Sequence, residues 1–263
     1  MLLVLVGCII YPIFGKGKDL AEEKEFSNEQ TGIPWKRRIL EGSFIVFSIL
    51  ISFFLEDIRQ ENEEIEKKNE LVADLAIVVE EDQMQISALE KTLRESLRCI
   101  DILQDDIDNN HQILNDQQAL ETILCIEIGH SFFPKDGVYA QLVSTGALEL
   151  IENTALKNGL LELFTHQKER NFATSKEIDN FNIQLRNSMF KNFRIRFDYD
   201  SKDGVFYGAK ILKGSQFNLK YYKSDAFYGL IGQASLYANM YLRQLSDIKT
   251  NYTKVALLAL EEN

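Results

Sequence analysis

The chain has 263 residues, 45% of them hydrophobic, and a formal net charge of −11 at pH 7. That acidity argues against nucleic acid as a partner, because binding phosphates demands clustered Lys and Arg. Only three prolines and fourteen glycines interrupt the chain, which favours long helices.

Residues 1–15 are almost wholly apolar and lack the basic start of a signal peptide. The segment is short for a spanning helix, and it reads as a second hydrophobic helix whose beginning is missing or frayed. Leu5-Val6-Gly7-Cys8 also has the outline of a lipobox, so a lipid-modified Cys8 stays open as the alternative. Residues 16–38 are polar, with Lys16, Lys18, Lys24, Lys36, Arg37 and Arg38, and read as a cytoplasmic segment.

Trp35-Lys36-Arg37-Arg38 opens an apolar run over 39–55 that carries one charge, Glu41, and is apolar on every side, with Phe44, Phe47, Phe53 and Phe54 among its residues. At a rise of 1.5 Å per residue it spans roughly 26 Å, just short of a hydrocarbon core of about 30 Å. The expectation is one transmembrane helix, with the lipid bilayer as its partner. The basic residues crowd its N-terminal side, so that side is expected in the cytoplasm, with the C-terminal part in the periplasm of a Gram-negative cell. Glu41 has two readings, an interfacial carboxylate near Lys36–Arg38 or a contact inside a membrane complex.

The outer part reads as all-α. Residues 56–70, with Ile58 and Ile65 as the only apolar positions on a stripe, form a helical stalk. The helix continues to about 107 with Leu71, Leu75, Val79, Ile86, Leu89, Leu93, Leu97, Ile100 and Ile107 on one face. The acidic clusters Glu80-Glu81-Asp82 and Asp105-Asp106-Asp108 read as its solvated side. Asp108-Asn109-Asn110-His111 is the expected break. A second helix follows from Asn115 or Asp116 to Ile128 with Gly129 as its C-cap, then a short one capped by Asp136 and running through Leu142. Asn153 caps a longer helix to about Met189, whose core face is Leu156, Leu160, Phe164, Ile178, Phe181 and Leu185. A small β-hairpin near 193–212, turning at Asp203-Gly204, competes with an irregular connection. Asp225 caps the last helix, with Leu230, Ile231, Leu236, Met240, Leu245, Ile248, Tyr252, Val255 and Leu258 facing inward. The expected architecture is an antiparallel bundle of roughly four long elements over 71–263, following the transmembrane helix.

The run Tyr139-Ala140-Gln141-Leu142-Val143-Ser144-Thr145-Gly146-Ala147-Leu148-Glu149-Leu150-Ile151-Glu152-Asn153 has a plain physical reading. Gly146 ends one helix left-handed, Leu148, Leu150 and Ile151 plug the connection into the core, and Asn153 caps the next helix, with Leu142 a further residue of this structural corner. With the Trp-led anchor and the charged exit from it, this run resembles a family of uncharacterised, single-pass membrane-anchored helical proteins of Gram-negative bacteria, defined only as a domain of unknown function. The resemblance covers most of 35–263 and implies no activity, cofactor or catalytic residue.

The histidines, His111, His130 and His166, have no His or Cys partner at ligand spacing, which argues against a metal site. No phosphate-binding loop or nucleophile elbow appears, and no cofactor is expected. Cys99 and Cys125 fall at matching heights if the chain reverses near His111, which leaves a disulfide and two buried thiols as rival readings. Tyr221-Tyr222, beside Lys220 and Lys223, reads either as core or as an exposed contact surface. The leading function is a non-enzymatic structural or interaction protein of a cell-envelope complex, with protein partners or self-association through the long helices. The runner-up is an extracytoplasmic ligand- or stress-sensing bundle that signals through a partner.

Overall fold

The computed structural model describes residues 35–200 and 209–262. The apolar segment 1–15 with Cys8, the polar residues before Trp35, and the Asp203-Gly204 turn lie outside them. The chain divides into two compact units, 1–56 and 57–263.

In the first unit the described residues belong to helix α1 (Trp35–Asp108). It holds the one described stretch long and apolar enough to cross a membrane, and none of that stretch is buried within the protein. Trp35, Phe44, Phe47, Phe53 and Phe54 are all exposed. The three serines of this stretch hold their hydroxyls inside the helix. Ser43, Ser48 and Ser52 donate to the carbonyls of Leu40, Phe44 and Ser48 at 2.8–2.9 Å.

The second unit is a helical bundle carrying a small two-stranded sheet. Its three long elements are the 57–108 part of α1, a helix running through α4 (Thr154–Leu161), a π-helical turn (Glu162–Gln167) and α5 (Lys168–Asn192), and the closing helix α7 (Asp225–Glu262). Two short helices, α2 (Asp116–Leu124) and α3 (Gly137–Ser144), stand where the sequence predicts a second helix to Ile128 and a short one after Asp136. Lys68 pairs with Glu262 and Asp82 with Tyr252, so α1 and α7 run antiparallel. A β-carbon on Gly159 would meet Val255, and Glu177 meets Tyr237, so α4–α5 also runs antiparallel to α7. The π-helical turn lets consecutive residues Leu163 and Phe164 both face the core.

The sheet is an antiparallel hairpin of β1 (Arg194–Asp200) and β2 (Ala209–Gln216), with a bulge at Arg196/Phe197. It packs on α5 and α2. A single turn, α6 (Leu219–Tyr222), leads into α7.

Several boundaries differ from the sequence reading. Helix α2 ends at Leu124, and Cys125 to Asp136 runs as an extended crossover, because Cys125 is tied to α1 and the Glu127 N–H is taken by Ser96 Oγ at 2.9 Å. Gly129 is therefore not a C-cap; a β-carbon there would stand 2.0 Å from the Asn182 amide, so glycine permits the close approach to α5. Asp136 caps nothing with its side chain, which pairs with Lys168. Ser224, not Asp225, caps α7, its Oγ accepting from the Phe227 N–H at 3.3 Å. Leu236 and Met240 are exposed, since the buried face of α7 passes through Ala234 and Ala238.

Candidate functional site

Four polar residues of α1 are buried: Lys68, Asp82, Ser96 and Asp106. Each is satisfied, as buried polar groups must be. Lys68 pairs with Glu262 at 3.0 Å, and the Glu262 carboxylate also accepts from the Glu152 and Asn153 N–H groups at 2.9 Å. Asp82 accepts from the Tyr252 hydroxyl at 2.7 Å and the Lys135 N–H at 3.1 Å. Burial pushes the Asp82 pKa up despite these donors. The acidic clusters are thus only partly solvent-facing, because Asp82 and Asp106 are their inward members.

Asp106 anchors the α1–α2 corner. It accepts from the N–H groups of Ile113 and Leu114 at 2.9 Å, from Tyr222 Oη at 2.8 Å, and faces His111 Nδ1 at 2.6 Å. His111 Nε2 lies 3.0 Å from Asp116, and its ring stacks on Phe217. Burial acts to lower the His111 pKa, but the hydrogen bonds and charges of Asp106 and Asp116 outweigh it and raise it. Tyr222 is fully buried, and Tyr221 is half-buried with its hydroxyl 2.6 Å from Ser188 Oγ, so the pair is core rather than an exposed contact surface. A second buried network surrounds Tyr241. Its hydroxyl donates to Asn171 Oδ1 at 3.0 Å and accepts from the Phe132 N–H at 2.7 Å, while Asn171 Nδ2 donates to the Phe132 carbonyl at 2.8 Å. The extended crossover is held at both faces of its backbone in this way.

Cys99 and Cys125 form a disulfide with a Cα–Cα distance of 6.3 Å. Glu95 lies beside them, and its oxygen and the two sulfurs fall within 4.8 Å of one another. Bonded sulfurs are not thiolate ligands, and Arg98 donates to both Glu95 oxygens.

At the corner, Gly146 adopts φ +77°, Leu142 and Ile151 are buried, and Leu148 is half-buried. Asn153 Oδ1 accepts from the Ala155 and Leu156 N–H groups. These contacts are internal, and the corner leads to Lys68 through Glu262.

A groove of about 320 Å³ between α5, the hairpin and the crossover combines apolar walls with charged side chains. Its walls are Met189, Phe190, Phe197 and Tyr199; Phe190 stacks against Phe197 at 6.3 Å. Its charged residues are Glu127, Arg186 and Lys210. Glu127 takes a hydrogen bond from Lys210 at 2.8 Å and lies 3.5 Å from His130 Nε2. The hydrogen bond with His130 and then Lys210 outweigh burial and hold its pKa at about 2. The sequence reading did not single out this groove. A signal was present: residues 186–223 carry nine Lys or Arg and three Asp, in a chain of net charge −11.

No protein-family model, curated protein or solved structure matches this chain, and its functional reading rests on the geometry above.

Proposed function

We propose that the protein is a non-enzymatic interaction module of the cell envelope, anchored in the inner membrane by residues 39–55, with 57–263 on the periplasmic side. The single observation that carries this reading is the Cys99–Cys125 disulfide on the C-terminal side of an exposed apolar helix, because disulfides persist in oxidising compartments. The basic residues ahead of the apolar run give the same orientation. The buried polar groups support a non-catalytic role, since their partners are other parts of the bundle.

The α1 stripe beyond Lys68 is covered by the chain's own helices, so partner contact is assigned to the exposed surface. Crosslinking mass spectrometry on native membranes tests the proposal. Reproducible crosslinks from exposed lysines such as Lys191, Lys213 or Lys220 to an envelope protein or a second copy are expected. A monomer with no crosslinked neighbour would overturn it. The second reading, a ligand-sensing bundle, is favoured by the groove between α5 and the hairpin.

A further inference from the structure

We infer that the groove between α5, the hairpin and the crossover binds a small amphipathic anion, a flat apolar body carrying one carboxylate, sulfonate or phosphate. This inference concerns the groove alone and stands whether or not a protein neighbour is found by crosslinking.

The shape comes first. The groove's volume of about 320 Å³ lies at the lower end of small-molecule sites. It opens where the Gly129 backbone lies against Asn182, a contact any β-carbon would block. Asn182, Arg186 and Phe190 recur every four residues on α5, so one face of that helix forms the wall. The hairpin supplies the facing wall through Phe197 and Tyr199, alternate residues of β1 on one face of the strand.

The lining explains the apolar half of the ligand. Phe190, Phe197 and Tyr199 are 45%, 38% and 55% exposed. Three large aromatic side chains left open around one concavity mark a binding surface more than a solvated one. The stacked Phe190–Phe197 pair, with an interplanar angle of 29°, offers broad ring surface to a flat molecule.

The charges explain the anionic half. Glu127 is already occupied by Lys210 and His130, and its depressed pKa keeps it ionised. Arg186 has no ion-pair partner among the described residues, and it lines the same opening. The stretch 186–223, which contributes Arg186 and Lys210 to the groove, is strongly basic in sequence. An anion entering the groove therefore meets a forked guanidinium free to bind it, with Lys210 nearby. A cationic ligand would meet Arg186 with no unoccupied carboxylate in the groove.

The test uses the full chain in phosphatidylcholine nanodiscs, titrated calorimetrically with 2-naphthoate and with its neutral isostere 2-naphthamide; empty nanodiscs give the lipid background. Saturable, protein-dependent binding of 2-naphthoate is expected, with 2-naphthamide weaker. Arg186→Gln, an exposed position whose change leaves the core untouched, weakens 2-naphthoate by about tenfold, as expected for loss of a charge-assisted hydrogen bond. It leaves 2-naphthamide unchanged. Phe197→Ala weakens both ligands. No binding above the empty-nanodisc background up to about 1 mM, equal affinity for the two ligands, or unchanged 2-naphthoate binding in Arg186→Gln would each overturn the inference. Should Phe197→Ala fail to fold, the Arg186→Gln comparison alone decides.

Discussion

Asp106 shows how one side chain can organise a corner. Asn110 and His111 adopt φ of 58° and 63°, a left-handed conformation that is strained for residues with a β-carbon. Asp106 bonds across this turn: its carbonyl accepts from the His111 N–H at 2.7 Å, and its carboxylate accepts from the N–H groups of Ile113 and Leu114. The titration of this node follows from its pKa directions. The His111 pKa is raised above its ordinary 6.5, so its contribution to stability is fully present below 6.5 and is lost as pH rises through the raised folded value. For Asp106, burial acts upward, but the hydrogen bonds from His111, Leu114, Tyr222 and Ile113 hold the pKa below 3.8. Its contribution is present above 3.8 and is lost as pH falls through the lowered folded value. The node is therefore strongest between these limits. His111→Gln, neutral at every pH, should lose most stability relative to wild type at about pH 5 and less at about pH 9. Thermal unfolding of the full chain at the two pH values measures the difference; a gap that does not change with pH would mean that His111 titrates alike in the folded and unfolded chain, and a gap larger at pH 9 would mean that the fold keeps the imidazole neutral.

At the scale of elements, α1 and α7 share one spacing. On α1 the buried positions Lys68, Val72, Leu75, Val79, Asp82, Ile86, Leu89, Leu93, Ser96, Ile100 and Leu103 alternate steps of four and three. On α7 the same alternation runs from Phe227 through Ala259. Such a period of 3.5 keeps one seam of a long helix facing its partner. On α1 the seam is interrupted by a polar residue at every fourteenth position, Lys68, Asp82 and Ser96; the first two bond to the C-terminal half of α7, at Glu262 and Tyr252, and the third to the crossover. These pins fix the axial register that a purely apolar seam would leave to packing. Asp82→Leu would remove one polar interruption of the seam, yet it should destabilise the protein by about 1–3 kcal/mol, because it strips the buried Tyr252 hydroxyl and Lys135 N–H of their acceptor. Adding Tyr252→Phe should recover part of the loss. Chemical denaturation of the single and double variants decides, and a more stable Asp82→Leu would show that the pin costs more than it contributes. Much of this was legible in sequence: the α1 ladder, the Asn153 cap and the hairpin follow from periodicity and turn chemistry. Asp82 reads as solvated in sequence because an acidic run on a helix usually is, Lys68 and Ser96 carry no burial signal, and Ala234 and Ala238 signal burial only weakly because they are small. The groove was hidden for a different reason. It joins residues 127, 186 and 210, which only tertiary packing brings together.

At the scale of the whole molecule, the disulfide provides a natural reporter for the proposed topology. The proposal places Lys36, Arg37 and Arg38 on the cytoplasmic side, and charge bias of this kind acts through residues close to the ends of the apolar run. The bond between Cys99 and Cys125 forms only if 57–263 reaches an oxidising compartment, because cytosolic thiols are kept reduced. Orientation and oxidation are therefore linked, and a change made at residues 36–38 should be read out at 99 and 125. In intact cells treated with N-ethylmaleimide before lysis, the wild-type peptides containing these cysteines should be recovered unalkylated and joined. Replacing all three basic residues with Glu removes the bias, so a larger share of chains should keep the bundle in the cytoplasm and yield both cysteines alkylated. Full alkylation in the wild type would refute the periplasmic placement. An oxidised pair in both proteins would show that the orientation is set elsewhere in the chain.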